Sequence, residues 1–112
     1  METTVSKEMM KGTIVPIILK LLNERDMYGY ELIQVVNERT DNVLQWKEGT
    51  IYPWLHRLES DGTIRGQWRT QTNGRRRKYY GLTRKGVHAL ETKSEEWKVL
   101  AKAVNTLLFQ PA

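Results

Sequence analysis

The chain has 112 residues, 39% of them hydrophobic, no cysteine and a formal net charge of +5. These values indicate one domain with a modest core, of a size that gains by burying more surface against a second copy. They exclude a disulfide framework and a thiolate metal site. The longest apolar run, "IVPIIL" at 14–19, is far short of the roughly 20 residues that a membrane span needs, and no signal-peptide pattern opens the chain, so the expectation is a cytoplasmic protein without membrane contact.

From Ser6 to about Glu24, the residues Met10, Ile14, Ile17 and Leu21 recur at helical spacing, which predicts a helix with Ser6 as N-cap and a bend at Gly12 and Pro16. "DMYG" interrupts the pattern. A second helix is predicted from about Tyr28 to Arg39, burying Leu32, Val35 and Val36, and "TDN" ends it. The third, from about Glu48 to Ser60, turns Ile51, Leu55 and Leu58 inward and stops at Asp61-Gly62. Pro53 lies inside it, four residues after Gly49, just as Pro16 follows Gly12; the glycine owns the carbonyl that the proline ring would strike, so the backbone can yield there.

Two strand-like runs, "TIRGQWRTQT" and "RRRKYYGLT", flank Asn73-Gly74, a strong hairpin signal in which both turn positions would take positive φ. Ile64 and Trp68 fall on one face, Tyr80 and Leu82 on one face of the partner strand, and Arg65, Gln67 and Arg69 point the other way. A last helix, capped by Thr83 and running to about Phe109, carries Val87, Leu90, Ser94, Trp97, Ala101, Val104 and Leu108 as a stripe. At about 1.5 Å per residue it is about 40 Å long, more than a core of this size covers, so the stripe calls for a second chain.

Helix, helix, helix and two-stranded hairpin is the order of a winged helix. The fold class expected is therefore α+β, mainly α: a winged helix-turn-helix over residues 1–83 and a long C-terminal dimerisation helix over 84–112. Charge points the same way. No acid occurs between Asp61 and Glu91, where Arg65, Arg69, Arg75, Arg76, Arg77, Lys78, Arg84 and Lys85 supply eight cations, while the rest of the chain holds 10 basic and 13 acidic residues. Such a block suits a polyanion, although a solvated charge run is the plain alternative.

With the apolar side of the third helix inward, its outward arc is Gly49, Thr50, Pro53, His56, Arg57 and Ser60, with Tyr52 and Trp54 at the margins. Thr50 and Tyr52 could donate to phosphates or base edges near the helix start, and Arg57 could reach a phosphate or a guanine. Tyr52 and Trp54 could equally be half-buried packing residues. In the hairpin, Arg75, Arg76, Arg77 and Lys78 sit beside a tight turn, suited to phosphates or the minor groove.

"MYGYELIQVV", "EGTIYPWLHRLESDGTI" and "GRRRKYYGLTRKG" resemble the signature stretches of PadR-like bacterial transcriptional regulators. The long last helix is similar to that of the small subfamily with a single C-terminal helix, and "SEEWKVL" resembles its multidrug-sensing branch. The resemblance implies a homodimeric, ligand-responsive repressor of transporter or detoxification genes that binds double-stranded DNA at a pseudo-palindromic operator. It implies DNA contacts from Gly49, Thr50, Tyr52, Pro53 and the four wing cations, and a planar aromatic or cationic ligand at Trp97. Trp97 could instead be dimer core. Lys47 departs from the family's frequent Ser or Asn; it cannot cap the helix amides, so it either serves a phosphate or leaves the helix start less firm.

No cofactor or metal is expected. His56 and His88 stand apart, no glycine-rich phosphate loop follows a strand, and an enzyme is not expected. The competing reading is a winged helix used only for protein–protein contact, without small-molecule sensing, which the acid-free basic segment disfavours.

Overall fold

The computed structural model describes residues 4–111. Its elements run α1 (Lys7–Met10), a 3-10 turn (Lys11–Thr13), α2 (Ile14–Glu24), β1 (Met27–Tyr28), α3 (Gly29–Arg39), α4 (Glu48–Ser60), β2 (Ile64–Thr70), β3 (Arg76–Leu82) and α5 (Arg84–Leu108). This is the expected mainly helical α+β chain.

The first predicted helix is two helices. Ser6 caps α1 by accepting from the Met9 amide at 3.2 Å, but the ladder tightens into the 3-10 turn at Lys11–Thr13. Two causes act there. The Thr13 hydroxyl takes the Met10 carbonyl at 2.7 Å, and Pro16 has no amide to offer the Gly12 carbonyl. Pro16 thus becomes the third residue of α2, where an amide would lack an intrahelical partner in any case. α4, by contrast, runs unbroken past Pro53, which is exposed, as is Gly49.

The sheet has three strands in the order β1-β3-β2, not the two expected. The "DMYG" break contains β1, which pairs Met27 with Tyr80 and Tyr28 with Tyr79; two residues are too few for a period to show. α3 accordingly starts at Gly29 with Tyr28 as its N-cap residue. The hairpin turn also differs. Gly74 has φ +83°, but Asn73 is not in the positive-φ region; its side chain accepts from the Arg75 amide at 3.0 Å while the Gln71 carbonyl accepts from the Gly74 amide, a turn closed by one left-handed glycine.

The core is continuous from α2 through α3 and α4 to the sheet, with Ile18, Leu19, Met27, Leu32, Trp46, Ile51, Leu55 and Ile64 fully enclosed. Val35, expected inside, is only half-buried; Ile33 is buried. Trp46 is fixed by Asn37, whose side chain accepts from its amide at 2.8 Å and donates to its carbonyl at 3.1 Å. Thr83 joins wing and last helix: its hydroxyl accepts from the Gly86 amide at 3.1 Å as the α5 cap and lies 2.6 Å and 2.8 Å from the Gly62 and Thr63 carbonyls. In α5 the buried residues are Gly86 and Leu90; of the predicted stripe beyond them, Ser94, Trp97, Val104 and Leu108 are exposed in the single chain and Ala101 is half-buried, while Val87 is 38% exposed.

Candidate nucleic-acid interface

α4 presents the surface that its periodicity requires. Ile51, Leu55 and Leu58 are buried, while Gly49, Pro53, His56 and Arg57 are exposed and Thr50 is half-buried. The outward residues are mostly small, so the helix can come close to another surface. Lys47 is the N-cap residue and its side chain makes no capping bond, which leaves the first amides of α4 without a side-chain acceptor. Arg57 folds back over the Trp54 ring at 4.6 Å, so the half-buried Trp54 serves as its support.

Tyr52 lies at the inner margin. Its ring sits over Gly29 so closely that a Cβ there would be 2.7 Å from the phenol carbon and oxygen, and burial, with the Glu48 charge nearby, pushes its hydroxyl pKa up. The residue is half-buried between core and solvent, with one edge toward a cleft of about 570 Å³ that separates α4 from the wing. His56 lines the same cleft from α4, and Trp68, Arg76, Arg77 and Lys78 line it from the wing. Of the residues expected to contact DNA, the structure therefore gathers Tyr52, Arg76, Arg77 and Lys78 around one opening. Gly49, Thr50, Pro53 and Arg57 lie elsewhere on α4, and Arg75 sits in the hairpin turn.

The basic segment is partly neutralised by its own fold. Lys78 donates to Glu59 of α4 at 2.7 Å, a bond that raises its pKa, and Arg69 donates to Asp26 at 2.7 Å. Among the described residues no carboxylate pairs with Arg75, Arg76 or Arg77. Arg77 instead lies 4.4 Å from the Tyr28 ring, and Arg69 4.3 Å from Tyr79, on the sheet face turned away from the core. The free positive charge is thus concentrated at the outer half of the wing, beside the exposed face of α4, an arrangement suited to a polyanion with two adjacent grooves.

A family model described as the transcriptional regulator PadR-like family matches residues 18–92, from α2 to the start of α5. The chain belongs to the PadR-like family of transcriptional regulators. A transcriptional regulator of Mycobacterium tuberculosis is 31% identical over 98 residues, covering 88% of each chain. A solved PadR-like regulator of Bacillus cereus superposes with a TM-score of 0.80 at 34% identity, covering 95% of this chain and 100% of the other. A solved regulator from Clostridium thermocellum gives a TM-score of 0.84 at 36% identity, covering 92% and 97%. A transcriptional regulator of Escherichia coli is 29% identical over 93 residues, and this PadR-like chain spans 43% of its length.

Six cleft residues, Tyr28, Gly29, Tyr30, His56, Trp68 and Tyr80, were not among the expected DNA contacts. His56 belonged to the outward arc but carried no further signal. Trp68 shares the strand face of Ile64, as alternation predicts; the core ends before reaching it, and it is 55% exposed. Trp97 is far from this site. It is 49% exposed and, with Ser94, faces Met9, Pro16, Ile17 and Leu21 across an open, largely apolar groove of about 700 Å³. Among the described residues, no group of three His, Asp or Glu could hold a metal ion, and no helix is long and apolar enough to cross a membrane.

Proposed function

We propose that this PadR-like regulator works as a homodimeric, ligand-responsive repressor. The observation that carries the DNA-binding half is the shared cleft: Tyr52 and His56 of α4 line one side, and Arg76 and Arg77, with which no carboxylate pairs among the described residues, line the other, with Arg75 beyond them in the hairpin turn. In this reading α4 enters the major groove with Gly49, Thr50, Tyr52, Pro53 and Arg57, Lys47 meets a phosphate near the helix start, and the wing spans the adjacent backbone. Lys78, held by Glu59, contributes less than its neighbours.

The residues before Arg84 form the DNA-binding unit, and α5 pairs two copies. Support comes from Trp97, Leu100, Val104, Leu107 and Leu108, all exposed beyond the last buried residue of α5. A second copy offers the same stripe, and two-fold pairing then presents two α4 helices to half-sites about one helical turn apart on a pseudo-palindrome. The groove beside Trp97 is the proposed site for a planar aromatic or cationic compound, whose binding releases DNA upstream of transporter or detoxification genes in the cytoplasm.

The experiment is fluorescence anisotropy with promoter-region DNA from the chain's own locus over a salt series, repeated with a panel of such compounds. A steep salt slope, and a compound that weakens DNA binding in the native chain but not in Trp97→Phe, support the full reading. A flat slope with an unrelated protein partner would favour a protein-contact module instead.

A further inference from the structure

Trp68 is on the sheet face that carries Ile64, and register explains why it is left in solvent. Ile64 pairs with Leu82 and Gly66 with Tyr80 over the core, whereas Trp68 pairs with Lys78 and Thr70 with Arg76 farther out along the wing. Its neighbours single it out. Arg76 is its diagonal partner across the ladder, and the guanidinium lies 5.3 Å from the indole centroid. Lys78, directly opposite, is occupied by Glu59 at 2.7 Å, while Arg76 has no carboxylate partner among the described residues. The inner face of the wing therefore presents one uncommitted guanidinium resting on one exposed indole, at the cleft that His56 and Tyr52 line from α4.

We propose that Trp68 is a positioning residue for DNA binding: its indole holds Arg76 extended, so that the guanidinium meets the duplex at the edge of the minor groove while α4 occupies the major groove. This rests on the DNA-binding reading given above. A free arginine surrenders many rotamers when it docks; one already laid on an aromatic face surrenders fewer, and the ring leaves its charge available. The narrow, strongly negative minor groove is the DNA feature that a planar cation fits best.

The test is a double-mutant cycle on the full chain, with Trp68→Ala, Arg76→Ala, the double variant and the conservative Trp68→Phe, all titrated with the same promoter-region duplex. Both residues are exposed, so the variants should fold, which circular dichroism melts check; should Trp68→Ala unfold, Trp68→Leu takes its place in the cycle. Trp68→Ala is expected to weaken binding about three- to five-fold, Trp68→Phe by less than about two-fold, and the double variant no more than Arg76→Ala alone. Additive losses, or an Arg76→Ala variant that binds normally, overturn the proposal and leave DNA binding standing. A native chain that binds no duplex overturns the DNA-binding reading itself.

Discussion

The Lys78 ammonium donates to the Glu59 carboxylate at 2.7 Å, tying the wing to α4 across a space that Gly66 leaves empty. A Cβ at Gly66 would lie 2.3 Å from Lys78 Cε and 2.6 Å from Glu59 Oε2. Gly66→Ala should therefore displace both side chains and break the pair. The expected cost is about 0.5–1 kcal/mol, read as a Tm lower by a few degrees, with faster amide exchange in the outer half of the wing. Unchanged exchange there would show that the wing does not depend on this tie.

Gly29 and Tyr52 are coupled more tightly. Gly29→Ala should push the Tyr52 ring off its seat and cost about 1–3 kcal/mol in urea unfolding, while Tyr52→Leu in the same chain should recover part of the loss. Strictly additive losses would mean that the ring has room to move.

Acid should destabilise the chain through two carboxylates. The hydrogen bond from the Thr63 hydroxyl holds the Asp61 pKa below its ordinary value, and the Arg39 guanidinium does the same for Glu24. Their contribution is in place above the unfolded-state pKa values and is lost as pH falls through the folded ones. Asp61→Asn should flatten the acid limb of a Tm-against-pH curve. At the other end, burial raises Tyr52 and Tyr80, and Glu59 raises Lys78, so the stability that they add is present below their unfolded pKa values and lost as pH climbs through the folded ones.

On DNA, Arg75→Ala, Arg76→Ala and Arg77→Ala should each reduce the salt slope by about 0.9, and Lys78→Ala by clearly less because Glu59 already neutralises it. Arg57→Ala should also relax sequence preference if it reads a base; equal losses on operator and random DNA would assign it to a phosphate.

Leu100→Glu combined with Val104→Glu should convert a dimer into a species sedimenting near the chain mass of 13.2 kDa. A native chain that already sediments at that mass would remove the dimer from the proposed function.

How much of this was legible follows from the length of each signal. α4 and α5 were readable almost to the residue, because thirteen and twenty-five residues repeat a helical period several times. β1 was not, since Met27–Tyr28 owes its existence to pairing with Tyr79 and Tyr80, some fifty residues away. Trp68 lies on the face that alternation predicts, but its exposure was not legible, because alternation tells which side a residue takes and not where the core stops. The cations were visible as a block, but only the fold reveals that Asp26 and Glu59 withdraw Arg69 and Lys78 from it.

Thr83 gives the molecule a mechanical property. One hydroxyl both starts α5 and fastens the strand exit to the carbonyls of Gly62 and Thr63 at the wing's base. Neighbouring bonds reinforce that joint, with the Lys85 ammonium on the Asp61 carbonyl at 2.5 Å. A tilt of α5 of about 10°, pivoting at Leu90, would carry its far end about 5 Å sideways, given a rise of about 1.5 Å per residue. The reverse holds as well: a force on that long arm is geared down and delivered, as torque, to the root of the wing.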